Sequence, residues 1–298
     1  MKISGADLMN REIPRTEQIY TARDTMLYAL GLGLGLDPLD PRQLSYVYED
    51  GLRALPTMAA VLAQERSWFS DPGIGLDTTG GVEVQHGLTL HRPLQPAGAL
   101  RGETRITDVL DKGAARGAIV AVRTDLSDAA GPVATSIQTI YFRRDGGCGG
   151  SNGTARPQPQ PWPAGPPDIS FLHPTSAQSA LIYRLSGDDT SIHASPAAAA
   201  AAGFDRPILH GLATYGIAAY AVIATCCDNR PERLTEIDCS FTAPVFPGET
   251  LRIDLWRNGG AVRFRVVCAE RDVVVADQGR ATFARDQAYS RDTNKIRL

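Results

Sequence analysis

Gly187-Asp188 followed by His193 places a carboxylate and an imidazole five residues apart, across the turn-prone stretch Asp188-Asp189-Thr190-Ser191. In a tight loop two such groups can converge on one point. A carboxylate and a neutral imidazole each accept a hydrogen bond, so together they can hold a water with its oxygen poised to attack. The same spacing also suits an Asx-type turn, with Asp188 capping a helix around Ser195 and His193 partly exposed. A second feature lies downstream, where His210-Gly211 opens a long apolar run. The first N–H groups of a helix lack internal partners and carry the positive end of its dipole. Glycine there lets a carbonyl approach the backbone, as a developing enolate oxygen requires. It can equally relieve packing at a crowded helix start.

These residues need a frame, and the chain suggests a duplicated one. From Asp145 the sequence turns Gly-rich and then Pro-rich, through Gly146, Gly147, Gly149 and Gly150 to Pro157, Pro159, Pro161 and Pro163. Such a stretch packs neither as helix nor as central strand and reads as a linker across the surface. On either side the same pattern recurs. Pro93, Pro96 and Gly98 sit between alternating apolar runs, as do Pro244, Pro247 and Gly248, and Pro93 and Pro244 are offset by 151 residues. Val-rich alternation follows in both halves, as expected for antiparallel strands with one face on a core. Ahead of the strands each half offers a long apolar helical candidate, over 52–65 and over 207–227. The second is apolar nearly all round, which predicts a helix buried by surrounding structure, with Pro207 suited to its first turn. The reading is α+β and duplicated, and a buried helix wrapped by a curved sheet, twice over, is a double hot-dog. The expected division is a first half at 1–148, a linker at 149–168 and a second half at 169–298.

The stretch 183–212 resembles the signature of MaoC-like (R)-specific enoyl-CoA hydratases, the hydratase 2 family. That motif reads Y-x-L-S-G-D-x-N-P-L/I-H, followed later by P-I-L-H-G-L. Here it stands as Tyr183-Arg184-Leu185-Ser186-Gly187-Asp188-Asp189-Thr190-Ser191-Ile192-His193, then Pro207-Ile208-Leu209-His210-Gly211-Leu212. The first half resembles the family's degenerate, acyl-accommodating half at 23–33, 46–62 and 111–118. The resemblance implies that Asp188 and His193 hold the attacking water and that the Gly211 N–H polarises the thioester carbonyl. It further implies syn addition to trans-2-enoyl-CoA, giving the (3R)-3-hydroxyacyl-CoA. Asp189, Thr190, Ser191, Ile192 and His210 fall on the substrate-binding stretch. Lys112 matches a lysine associated with CoA, where a flexible ammonium suits phosphate, although a surface lysine is an equal reading. Phe241 matches a substrate-contacting aromatic and is also a plain strand residue.

The sequence departs from the pattern in places. Thr190-Ser191 replaces Asn-Pro, losing an amide that braces the loop and a proline that stiffens it. A His-Gly pair of the family's first half falls at Glu83-Val84, three residues short of His86-Gly87, which receives no role. Aligning Asp24 with Asp188 puts Ala29 where His193 stands, and Leu55-Pro56 matches Leu209-His210, so one active site per chain is expected. The Gly31, Gly33, Gly35 string lacks the context of a dinucleotide site. Gly146-Gly147-Cys148-Gly149-Gly150 reads as a domain-end turn, and His91 and His173 show no obvious partners.

The remaining features exclude whole classes of function. A net charge of -3 gives no reason to expect nucleic acid or an anionic membrane as partner. No apolar run approaches the roughly 20 residues of a membrane span. The N-terminal stretch lacks an apolar signal core, and the final five residues are not an S-K-L signal. Five cysteines at these spacings suggest free thiols in a reducing cytoplasm. No His, Cys or carboxylate set has metal-ligand spacing, so neither metal nor redox cofactor is expected, CoA being part of the substrate. A homodimer is the expected assembly. Two alternatives stay open: dehydration of a 3-hydroxyacyl thioester of CoA or acyl carrier protein, and non-catalytic acyl-CoA binding.

Overall fold

The computed structural model describes residues 4–71, 74–77, 81–150 and 159–284. Residues 151–158 of the expected linker, and the last five residues read for a targeting signal, lie outside them. The first half runs α1 (Gly5–Met9), β1 (Thr16–Tyr20), α2 (Ala22–Gly31), α3 (Pro41–Leu44), a 3-10 turn (Pro56–Ala60) and α4 (Ser67–Ser70). It continues with β2 (Gly81–Leu90), β3 (Gly98–Asp111), β4 (Ala118–Asp128) and β5 (Gly131–Phe142). The second half runs β6 (Ile169–Pro174), α5 (Ser179–Tyr183), α6 (Pro196–Ala201), α7 (Gly211–Cys226) and β7 (Leu234–Phe241). It closes with β8 (Thr250–Asn258), β9 (Ala261–Cys268) and β10 (Val273–Phe283).

All ten strands form one antiparallel sheet in the order β1-β3-β4-β5-β2-β7-β10-β9-β8-β6. Read outward from the β2·β7 seam, the halves repeat the same strand sequence, which is the topology of a duplication. At that seam Gln85 pairs with Ser240 and the register continues to Thr89 opposite Glu236. The alternation seen in the sequence has its physical cause in the pleat. Along β4, Ala118, Val120, Val122, Thr124 and Leu126 are buried while the residues between them are half-buried.

α7 is the buried helix of the second half. Every residue from Leu212 to Ile223 is buried, and the helix touches β6, β7, β8, β9 and β10 as well as β2 across the seam. The Tyr215 hydroxyl donates to the Ile237 carbonyl at 2.8 Å, so this large phenol enters the core with its polar end satisfied.

The long helix expected over 52–65 is not formed; only the 3-10 turn Pro56–Ala60 is helical. The run is apolar because it is buried, not because it is a long helix. It packs against α7, and the Tyr28 hydroxyl bonds the Thr57 hydroxyl at 3.1 Å. It then leaves through Ala63 in a left-handed conformation (φ 48). There the Ala63 N–H donates to the Gln18 side chain at 2.6 Å. Its carbonyl presses so closely on β3 that a Cβ at Gly102 would lie 2.0 Å from it. The chain meets β3 before a second helical turn can form.

The aligned pair Asp24 and Asp188 also part company. Asp24 sits in the first turn of α2, where its carboxylate accepts the Thr21 N–H and hydroxyl, each at 2.7 Å. It is a capping residue inside a regular helix. Asp188 lies beyond α5, in a loop with no counterpart there.

The Gly-rich stretch folds back on β3, where the Asp111 carboxylate accepts the Gly147 and Gly149 N–H groups at 2.8 Å. Past residue 158 the chain lies on the second half. Trp162 lies tilted beside Trp256 with centroids 4.8 Å apart, and the Arg263 and Arg265 guanidinium groups each lie 4.4 Å from its ring centre.

The Gly102 contact makes a stability prediction. Gly102→Ala is expected to lower the unfolding free energy by roughly 1–3 kcal/mol, because backbone on both sides must shift. Gly87→Ala, whose methyl would meet only the Asp238 Cβ at 3.7 Å, is its control. Urea midpoints for the two variants check the contrast, and equal midpoints contradict it.

Candidate active site

The Asp188 loop is built by a chain reversal. A 3-10 turn at Arg184–Ser186 follows α5, and Gly187 takes φ 118, a conformation that favours glycine. Asp188 Oδ1 accepts the Thr190 hydroxyl at 2.7 Å and the Thr190 N–H at 3.3 Å. The Asx-type turn is therefore real, and it coexists with the chemical reading. Thr190 supplies the brace expected to be lost with the motif's asparagine. Asp188 does not cap the helix around Ser195, since the Ser195 hydroxyl itself accepts the Ala198 N–H and caps α6.

A second 3-10 turn, Ser191–His193, lowers His193 into the interior. Its Nδ1 lies 2.8 Å from the Ile208 carbonyl. Because a carbonyl can only accept, Nδ1 carries the proton and Nε2 keeps its lone pair. The segment through Ile208 is pinned in turn, with the Ile208 N–H on the Ile192 carbonyl and the Leu209 N–H on the Val245 carbonyl at 2.7 Å.

His210 is the N-cap residue of α7. Its Nε2 donates to the Asp188 carbonyl at 3.0 Å, and its ring stacks on His193 with centroids 3.6 Å apart and planes at 22°. Tyr183 closes the stack, 4.9 Å from His210. One histidine therefore touches both expected catalytic residues. One carboxylate oxygen of Asp188 and one ring nitrogen each of His193 and His210 all lie within 4.8 Å of one another.

Sequence spacing showed no metal-ligand set, yet this trio is one in composition. Its geometry opposes a cation. Stacked imidazoles keep their lone pairs in nearly parallel planes, and His210 Nε2 already donates to the Asp188 carbonyl. A cation also already faces the carboxylate: Arg66 Nη2 lies 3.3 Å from Asp188 Oδ2, and Arg66 Nη1 donates to the Gly187 carbonyl at 3.2 Å.

The electrostatics follow from burial and neighbours. Burial alone would raise the Asp188 pKa, but Arg66, the Thr190 hydroxyl and the two imidazoles outweigh it and hold the carboxyl well below the usual range. Burial lowers the His193 pKa against the pull of the Ile208 carbonyl and Asp188. His210 is pushed down to about 3, first by burial and then by His193. At neutral pH the site holds one carboxylate and two uncharged imidazoles.

Gly211 is the first residue of α7, so its N–H and that of Leu212 point out of the helix. The Phe241 ring lies against it, 3.4 to 3.5 Å from where a Cβ would stand. Ile192 is half-buried beside His193, whereas Asp189, Thr190 and Ser191 are exposed on the loop. The Asp189 carbonyl accepts a bond from Arg184 at 3.0 Å. Lys112 is not brought to this cluster. It follows β3, four strands from β7, with its ammonium 4.8 Å over the Tyr141 ring.

The other histidines have partners that the sequence did not reveal. His91 meets the Thr135 hydroxyl at 3.0 Å, and buried His173 donates to the Leu32 carbonyl at 2.7 Å. His86 lies between Glu83 and Ser136, at 2.6 and 3.1 Å. A cavity of about 150 Å³ lined by Leu52, Ala54, Pro56, Leu90, Leu94 and Leu234 opens at the β7 start. That is roughly 23 Å along the strand from Phe241, so it is not where water is held. Arg66 is the residue that sequence reasoning missed. It lies 121 residues before Gly187, and nothing local marks it.

Residues 19–144 match the MFE-2 hydratase 2 N-terminal domain, and residues 160–278 match the MaoC like domain. Over 276 residues the chain is 36% identical to an enoyl-CoA hydratase of Mycobacterium tuberculosis, covering 91% of this chain and 95% of that one. It is 37% identical over 272 residues to a 3-hydroxyacyl-thioester dehydratase of the same organism, covering 87% and 91%. A MaoC-like dehydratase structure from Phytophthora capsici superposes with a TM-score of 0.83 at 30% identity, covering 95% of this chain and all of that one.

The depressed His210 value makes a pH prediction. Between about 3 and the ordinary 6.5 the unfolded chain binds this proton and the folded one does not. Stability therefore rises with pH across that window and is complete above it. Denaturant midpoints at pH 7 and pH 4.5 should differ less in His210→Gln than in the parent chain. An unchanged difference contradicts the assignment.

Proposed function

The chain belongs to the family of MaoC-like dehydratases and hydratase 2 enzymes, and we propose that it adds water to trans-2-enoyl-CoA to give (3R)-3-hydroxyacyl-CoA. The observation that carries this reading is the convergence of Asp188 and His193 within 4.8 Å at the open N-terminus of α7. A water donates one hydrogen bond to the Asp188 carboxylate and the other to His193 Nε2. As its oxygen bonds to C3 of the enoyl group, the C2–C3 π pair moves toward the thioester. The resulting enolate oxygen is held by the Gly211 N–H at the positive end of the helix dipole. His193 takes the water proton, and Asp188 stabilises the imidazolium. The proton then returns to C2 from the same face, so addition is syn and the imidazole is regenerated.

Phe241 beside Gly211 and Ile192 beside His193 give the acyl portion apolar contacts. The first half serves the acyl tail. Shortening its helix to one 3-10 turn leaves apolar surface and the 150 Å³ cavity next to Pro56. Run backwards, the same groups dehydrate a 3-hydroxyacyl thioester, and the likeness to the mycobacterial dehydratase supports this as the second reading. Neither direction calls for a metal or redox cofactor. Lys112 keeps at most a remote contact with CoA. Five free cysteines fit a cytoplasmic setting, and no helix among the described residues is long and apolar enough to cross a membrane. The exposed Leu30, Leu181 and Leu185 on and next to the packed helices α2 and α5 are surface that a homodimer would cover.

Hydration of trans-2-enoyl-CoAs of increasing length, followed by loss of the conjugated-thioester absorbance, tests the proposal. Asp188→Asn and His193→Ala are each expected to cut kcat by about 10²–10⁴-fold, with a (3R) product from the parent chain. A folded parent chain with no turnover at any length sinks the reading.

A further inference from the structure

We propose that Arg66, supplied by the first half, is the positioning residue for Asp188: its two-pronged grip on the Asp188 carboxylate and the Gly187 carbonyl aims the carboxylate at the water beside His193. This rests on the function proposed above and adds to it a residue outside the motif-bearing half. An ionised carboxylate offers about four acceptor sites. Thr190 fills two of them on Oδ1 through its hydroxyl and N–H. Arg66 Nη2 faces Oδ2 as an ion pair at 3.3 Å. Oδ2 is left to accept from a water, and the guanidinium, anchored through Nη1 on the Gly187 carbonyl, fixes the side from which the carboxylate is held.

The grip also ties the loop to a rigid base. Arg66 follows the buried run 54–63, whose exit is fixed by Gln18 and Gly102. The Gly187 carbonyl that it holds belongs to the left-handed residue on which the Asp188 loop turns. The groups facing Asp188 from the surrounding elements are Arg66, Arg184, His193, His210 and the Tyr183 phenol. Arg184 is committed to the Asp189 carbonyl, and both imidazoles are uncharged at neutral pH. Arg66 is thus the cation set directly on the carboxylate. Its side chain is 47% exposed, which screens its charge and leaves direction as its larger contribution.

The test is a set of three variants, Arg66→Ala, Arg66→Gln and Arg66→Lys, read by kinetics, thermal melting and a carbon-13 NMR titration of the Asp188 carboxyl. Arg66→Ala should lower kcat by about 10- to 100-fold, as small misplacements of catalytic groups do, with KM within about twofold. The Asp188 carboxyl should titrate at higher pH in Arg66→Ala and Arg66→Gln, and Arg66→Lys should recover part of both effects. A rise in KM at unchanged kcat would assign Arg66 to CoA phosphate binding and overturn the proposal. So would a lower melting temperature with kcat and the titration unmoved, which marks a plain structural strap. The titration needs no turnover. If the parent chain hydrates nothing, the proposed function fails while the grip on Asp188 is still measured.

Discussion

Backbone pairing between β2 and β7 is the contact on which the remaining architecture depends. Five residue pairs, Gln85 with Ser240 through Thr89 with Glu236, turn two half-sheets into one. A single concave face then receives α7, so the helix is buried by strands from both halves. The 3-10 turn at Pro56–Ala60 is held against the same helix, which brings the following segment within reach of the Asp188 loop. Without the seam, α7 would expose an apolar flank and Arg66 would have no carboxylate to meet. The hydrophobic effect sets the arrangement, and polar chemistry occupies the one end of α7 that stays open.

The halves share topology and differ in what their helices do. In the second half a full helix presents its unpaired N–H groups to the site. In the first half the chain turns aside at Ala63 after one 3-10 turn, because the β3 backbone at Gly102 stands in its path. The electrostatic consequence is one-sided. In the second half a carboxylate and two imidazoles meet at a helix N-terminus without a side-chain cap, whereas in the first half the Asp24 carboxylate caps α2. The first half supplies a cation instead. Of its two histidines, His86 lies between the Glu83 carboxylate and the Ser136 hydroxyl, and His91 meets the Thr135 hydroxyl.

Much of this was legible in the residues. The 151-residue offset between Pro93 and Pro244 reports the duplicated turn between β2 and β3 and between β7 and β8, and period-two alternation reports strands because the pleat forces it. Asp188 and His193 were legible because one loop holds both. Features made by distant segments were not. Arg66 has no local signature, and the His210 stack on His193 depends on how residues 207–209 are pinned. The long helix expected over 52–65 failed for a related reason. Apolar composition reports burial, whereas the obstacle that ends the helix belongs to a strand about 40 residues away. Asp24 and Asp188 align in sequence and part in the backbone path of the next few residues, helix in one case and open loop in the other.

Joining the two half-sheets in one chain has a genetic consequence. In an assembly of identical units every substitution appears twice, once on each side of the symmetry axis, so a change that suits one side is imposed on the other. Here the seam lies inside a single polypeptide, and each half carries its own copy of the inherited plan. The effective concentration of one half for the other is set by the connecting chain and does not fall when the protein is dilute. A first half whose helix is cut short is therefore always paired with a second half that keeps a full one, and the two can diverge without ever meeting the wrong counterpart.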